Sequence, residues 1–156
     1  MNKKFDAVIN IQGDEPFIEP SQIDLIASCF DEIETQIATL IKKADTEEEI
    51  INPNEAKVVL DKNNNAIYFS RLPIPYRYHA DSKIQYYKHI GIYGYRSDCL
   101  LEITKLKKGF LESAESLEQL RWIENGFRIK VKETFVESLA IDEPDDLRHV
   151  EKYLKN

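Results

Sequence analysis

Near-continuous apolar runs alternate along this chain with segments of helical spacing. Residues 5–11 (FDAVINI) read as a mostly buried strand, the kind found inside a parallel sheet with neighbours on both sides. Over 21–33, Ile23, Ile26, Phe30 and Ile33 recur at helical spacing, and Ser21, after Pro20, is the expected N-cap. Residues 36–41 (QIATLI) predict a second strand, and the acidic stretch 46–51 a short helix stopped at Asn52-Pro53. Residues 57–60 (KVVL) and 66–69 (AIYF) flank Asp61-Lys62-Asn63-Asn64-Asn65. Asp and Asn tolerate left-handed turn geometry, so a β-hairpin with an exposed tip is expected there.

The second half continues the alternation. Leu72-Pro73-Ile74-Pro75 is extended and unsuited to a central strand. Residues 76–85, polar and aromatic, predict a mobile loop, and 87–95 a strand interrupted by Gly91 and Gly94. Helices are expected over 98–106 and 115–125, the second ended by Gly126. Residues 128–134 (RIKVKET) alternate as a half-exposed strand, and 143–154 close the chain as a helix. Strands alternating with helices predict an α/β domain over 1–156, and the hairpin and the strand 87–95 suggest a mixed sheet or a β extension beside it.

Composition narrows the function classes. With 156 residues, 42% apolar and 31% charged, the chain is long enough for one domain with a real core. A formal net charge of −7 argues against a nucleic-acid surface, which needs a basic patch. No apolar stretch approaches the ~20 residues that span a bilayer, and no secretory apolar segment opens the chain, so a cytoplasmic protein without membrane partners is expected. Cys29 and Cys99 lack metal-ligand spacing and read as reduced thiols.

Two acidic motifs stand out. Gln12-Gly13-Asp14-Glu15-Pro16 follows the first strand, at the edge where open α/β sheets bind ligands. Ile141-Asp142-Glu143-Pro144 opens the last helix. Asp14 suits either a local turn or a metal carboxylate; Asp142 suits a helix cap, a metal ligand, or both, since a carboxylate has two oxygens. Together they would suit Mg²⁺, which takes its remaining ligands from phosphates and water. His89, Tyr93 and Tyr95 fall on one strand face, as structural side chains or as sugar-binding groups, with Gly91 and Gly94 between them that would admit a ligand. Arg71, at a strand end, is either solvated or a fork for a carboxylate. Glu118 is either the partner of Arg121 at i,i+3 or, with Gln119, a reader of sugar hydroxyls.

Taken in order, VINIQGDEP (8–16), NPN (52–54) with KVVLD (57–61), YFSR (68–71), HIGIYGYR (89–96), LEQLR (117–121) and IDEPDDL (141–147) resemble the 3-deoxy-manno-octulosonate cytidylyltransferases, the CMP-Kdo synthetases. The resemblance covers the C-terminal part of that family. The family's phosphate-binding segment, of the type P-A-R-x-x-S-T-R-x-P-x-K, does not occur here. The expectation is therefore an incomplete nucleotide-diphospho-sugar-transferase-like fold, a mixed, largely parallel sheet flanked by helices, truncated with Met1 near the middle of its parent and inactive alone.

The resemblance also implies roles. The reaction would join CTP and Kdo into CMP-Kdo and diphosphate, for lipopolysaccharide biosynthesis. Asp14 and Asp142 would hold Mg²⁺, and Gln12 would touch Kdo beside it. Arg71 would pair with the Kdo carboxylate, and His89, Tyr93, Glu118 and Gln119 would bind its hydroxyls. A homodimer formed through the region 76–95 is implied as well. The alternatives are a CMP-sialate synthetase, which would use another acidic sugar, and a non-catalytic sugar-binding or dimerisation remnant.

Overall fold

A computed structural model describes residues 5–13 and 18–136. Asp14, Asp142 and the expected helix 143–154 lie outside them. The described residues form a six-stranded sheet with helices on both faces. The strands are β1 (Ala7–Asn10), β2 (Ile37–Ala44), β3 (Lys57–Leu60), β4 (Ala66–Ser70), β5 (Tyr86–Arg96) and β6 (Ile129–Glu133). The helices are α1 (Pro20–Ala27), α2 (Glu47–Ile51), α3 (Ser97–Ile103), α4 (Phe110–Glu115) and α5 (Gln119–Glu124).

The order β4-β3-β5-β2-β6, with β1 on β5, makes β5 the axis of the sheet. The mixed character expected from the sequence is present. Its balance differs, because β2–β6 is the parallel pair while β1–β5, β2–β5, β3–β4 and β3–β5 run antiparallel. β1 differs from its expectation for the same reason. It pairs antiparallel with β5 and alternates in burial, leaving Val8 38% exposed, instead of lying buried on both faces.

Two apolar clusters clothe the sheet. Ile26 of α1 packs with Leu40, Ile90 and Ile92 on one face. On the other, Ile37, Ile41, Val58, Phe69, Tyr93, Tyr95, Leu120, Trp122 and Val131 form the larger cluster under α3–α5. The hairpin tip reaches across that face to the far strand, where Val131 N donates to Asn64 O at 2.8 Å. The tip is built as its residues suggest. Asp61 Oδ1 accepts from the amides of Asn63 and Asn65, each at 2.8 Å, and Asn64 takes a left-handed φ of 58°.

Three helix boundaries depart from the sequence pattern. α1 starts at Pro20, not after Ser21: Glu19 is the N-cap and shares a capping box with Gln22, while Pro20 fits the first turn. It then tightens into a 3-10 turn at Ser28–Asp31, which breaks the period and leaves Ile33 81% exposed. The expected helix 115–125 is α5 alone, starting at Gln119, because α4, which the pattern does not predict, ends at Glu115 where Ser116 adopts φ 53°. By contrast, Thr46 caps α2 with Glu49 in a capping box, and Gly126 takes φ 83° after α5.

Candidate active site

β5 is flanked by β3 near its start and by β1 at its end, so its middle has no strand neighbour on that side among the described residues. β1 ends with Asn10 opposite Tyr93, and the antiparallel direction carries the exposed Gln12 toward Gly91. Across β5 on the other side, the register with β2 slips. Thr39 pairs with Tyr93 but Leu40 with Ile90, which leaves Gly91 and Ile92 as extra residues on β5. Such a bulge bends its strand and re-aims side chains.

Thr39 fills that bulge. It is fully buried, and its Oγ1 lies 2.8 Å from Ile92 O, 3.3 Å from Ile90 O and 2.8 Å from His89 Nε2. The His89 ring contacts Phe69 edge-on at 5.3 Å and lies 5.2 Å from the Tyr93 ring. Burial draws its pKa down to about 4, so the imidazole is neutral near pH 7. Tyr93 and Tyr95 both meet Trp122 edge-on, at 5.1 and 5.6 Å. Among the described residues the buried Tyr93 hydroxyl makes no hydrogen bond of ordinary geometry, and the Thr39 side chain is the group that comes nearest to partnering it. Burial, with Tyr95 and Glu118 nearby, raises the pKa of that phenol well above its ordinary value. A buried polar atom without a well-formed hydrogen bond is uncommon, and the same is true here of Gln22 Nε2 and Glu133 Oε1.

Arg71 stands at the end of β4 and ties three segments together. Its Nε donates to Glu115 O at 2.8 Å, one terminal nitrogen to Pro53 O at 2.8 Å and the other to Ser116 O at 3.3 Å. A guanidinium has five N–H donors, so two remain for a ligand. Glu115 answers by accepting from Arg71 N at 3.0 Å and from Ser70 Oγ at 2.8 Å. These bonds fix the left-handed corner at Ser116, and the chain leaves it into Glu118 and Gln119. Glu118 makes the expected i,i+3 pair with Arg121 at 3.3 Å, with its side chain 63% exposed. Gln119 is buried at the start of α5.

The structure thus brings His89, Tyr93 and the Glu118 field onto one face of β5, with Arg71 at the α4–α5 corner. Gly94 corrects an expectation. A Cβ there would meet Phe30 Cε2 at 2.5 Å and Ile26 Cγ2 at 2.7 Å, so this glycine admits the packed face of α1 and the following turn, not a ligand. A cavity of about 320 Å³ lined by Thr35, Gln36, Arg96, Asp98 and Glu102 includes none of the expected site residues that fall among the described ones.

Sequence reasoning missed several residues. Thr39 had one signal, a lone hydroxyl within an apolar strand. Lys57 is fully buried, donating to the carbonyls of Asn52 and Glu55, and desolvation lowers its pKa. Lys88 is buried against Glu49 at 2.8 Å and Glu55 at 3.5 Å. Both lysines sit in strands, where the pattern predicts solvated positions. Among the described residues no cluster of three or more acidic, histidine or cysteine side chains could hold a metal ion, and no helix is long and apolar enough to cross a membrane.

The model of the family described as cytidylyltransferase matches residues 1–146. A 3-deoxy-manno-octulosonate cytidylyltransferase of Bacteroides thetaiotaomicron is 54% identical over 97% of this chain and 64% of its own length. One from Phocaeicola vulgatus is 50% identical over 99% of this chain and 65% of its own length. The chain therefore spans a little under two thirds of these relatives. A solved CMP:2-keto-3-deoxy-manno-octonic acid synthetase, complexed with CTP, superposes with a TM-score of 0.88 at 38% identity, over 96% of this chain and 62% of that one. An inositol-1-phosphate CTP transferase from T. maritima shares the fold, with a TM-score of 0.59 at 20% identity, over 99% of this chain and 57% of its own.

Proposed function

The chain belongs to the cytidylyltransferase family, and from that premise we propose that it serves the transfer of a cytidylyl group from CTP to Kdo. The anomeric 2-hydroxyl of Kdo would attack the α-phosphorus. A bond forms between that oxygen and phosphorus, the bond to the bridging oxygen of diphosphate breaks, and the hydroxyl proton is released. Such a displacement depends on in-line positioning and on neutralising phosphate charge.

The polar gap at the middle of β5 supports the sugar side of this reading. Its carrying observation is the buried Tyr93 hydroxyl, which makes no hydrogen bond of ordinary geometry among the described residues, beside the neutral His89 ring. A neutral imidazole and a phenol suit hydroxyl groups. The two spare N–H groups of Arg71 suit the carboxylate that distinguishes an acidic sugar. Glu118 and Gln119 would read further hydroxyls, and Gln12, aimed along β5, would touch the sugar from the opposite side.

Asp14 and Asp142 lie outside the described residues, and their assignment rests on their motifs. As oxygen donors they suit Mg²⁺, which would neutralise phosphate charge as the substrates align. The loop 76–85 exposes Tyr76 and Tyr78, each 81% accessible, beside Leu72 at 70%. Exposed tyrosines of this kind anchor interfaces, which supports a homodimer through this region. Soluble substrates suit a cytoplasmic reaction.

The test is diphosphate release from CTP and Kdo with Mg²⁺. It is run on this chain and on this chain joined to the part of the B. thetaiotaomicron relative that it does not span. Transfer in the joined protein, lost in Arg71→Met, supports the reading. An inactive joined protein alongside an active relative would overturn it. Preference for sialic acid over Kdo would replace the substrate.

A further inference from the structure

We propose that Thr39 is a positioning residue that fixes His89 as its Nε2–H tautomer, leaving Nδ1 as a hydrogen-bond acceptor for a substrate hydroxyl. The second half of the statement rests on the sugar-binding reading above; the first rests on proton bookkeeping alone.

Thr39 Oγ1 faces the carbonyls of Ile92 at 2.8 Å and Ile90 at 3.3 Å, and the Nε2 of His89 at 2.8 Å. A hydroxyl has one proton to give, and carbonyl oxygens only accept. The hydroxyl proton therefore points into the bulge, toward Ile92 O with Ile90 O beyond it. The remaining contact closes as a hydrogen bond only if Nε2 carries a proton and donates to Oγ1. The opposite tautomer would set a nitrogen lone pair against an oxygen lone pair at 2.8 Å. Turning the hydroxyl toward Nε2 would instead leave the carbonyls of the buried residues Ile90 and Ile92 without this donor.

A neutral imidazole has one N–H, so Nδ1 is then bare. Burial in the aromatic cluster keeps the ring neutral. Among the described residues no group hydrogen-bonds Nδ1. His89 as a residue keeps part of its surface exposed, and the proposal places Nδ1 on that side. An acceptor here selects a hydroxyl, which donates, over a keto or ether oxygen, which cannot. Thr39 lies in the neighbouring strand with its side chain enclosed, so its effect on substrate passes through His89.

Long-range ¹H–¹⁵N correlation on the full chain labelled at histidine reads the tautomer directly, with His89→Gln supplying the assignment. The wild type and Thr39→Ser should show His89 protonated at Nε2 alone, and Thr39→Val an exchanging mixture. A mixture or an Nδ1–H ring in the wild type overturns the positioning role. The wild-type and serine spectra decide this even if the valine variant does not fold. In the joined protein, Thr39→Val should raise KM for Kdo by the inverse of the Nε2–H fraction its spectrum shows, about twofold for an even mixture and more as Nδ1–H gains, with kcat unchanged and Thr39→Ser close to wild type. An unchanged KM in a folded valine variant with a mixed tautomer overturns the acceptor role. Failure of the joined wild type to use Kdo would instead remove the sugar reading and leave the tautomer result standing.

Discussion

The rings of His89 and Tyr93 lie 5.2 Å apart although four positions separate them on one strand. In a regular strand such residues stand about 13 Å apart. The bulge at Gly91 and Ile92 lies between them, and because it adds two residues it keeps both side chains on the same face. Gly91 puts no side chain between them. A pair of groups suited to one small ligand thus spans a local irregularity in pairing.

Acid should weaken the fold through His89 before it reaches the carboxylates. The folded-state pKa of about 4 lies below the 6.5 of an ordinary histidine, so the unfolded chain takes up the proton first as pH falls. Stability is therefore full above pH 6.5 and drains between 6.5 and 4, by at most about 3 kcal/mol. Urea unfolding across this range should show the loss, and His89→Gln should flatten it. An unchanged midpoint in the wild type between pH 6.5 and 4.5 would contradict the burial of the ring.

Glu49 governs a lower window. Desolvation pushes its pKa up, but the Lys88 ammonium and the amides of Thr46 and Asp45 outweigh it and hold it at about 2. Its contribution is present above pH 4.5 and lost as pH falls through about 2. Lys88→Met strands this carboxylate in a partly buried site and should cost about 3 kcal/mol, with the Glu49 midpoint moving up toward the usual carboxylate range. Carboxyl titration by NMR and chemical denaturation measure the two effects; an unmoved Glu49 midpoint would reject the coupling.

Two glycines make a steric contrast. Gly94→Ala drives a methyl into Phe30 and Ile26 and should destabilise by about 1–3 kcal/mol. Gly13→Ala meets nothing within 4 Å among the described residues and should stay within about 0.5 kcal/mol of wild type. Thermal melts of the two variants decide it, and equal losses would mean that α1 is not seated on β5 as described.

Glu118 separates stability from binding. Its exposed pair with Arg121 is minor beside the Glu112 carboxylate, which grips Arg121 through Nε at 2.7 Å and a terminal nitrogen at 2.6 Å. Glu118→Gln should leave stability within about 0.5 kcal/mol. In the joined protein it should raise KM for Kdo by about tenfold or more. A melt shifted by several degrees with KM unchanged would assign Glu118 to the scaffold alone.

Much of this protein follows from local chemistry that its sequence displays. The hairpin at Asp61–Asn65, the Thr46 cap, the stop at Gly126 and the membership of His89 and Tyr93 in one strand face are decided by side chains within a few residues of one another. The family, too, was legible, because its motifs recur in order. Pairing was not. Apolar runs reveal that a strand is buried without revealing its direction, so β1 was expected in a parallel surround and instead runs antiparallel along β5. Long-range partners were equally hidden. Thr39 meets His89 across 50 residues and Arg71 meets Glu115 across 44, and no local pattern encodes either meeting. The sequence determined which groups are available for chemistry. The tertiary structure decided their protonation, spacing and spare hydrogen bonds, because those depend on burial and on partners that only the folded sheet brings together.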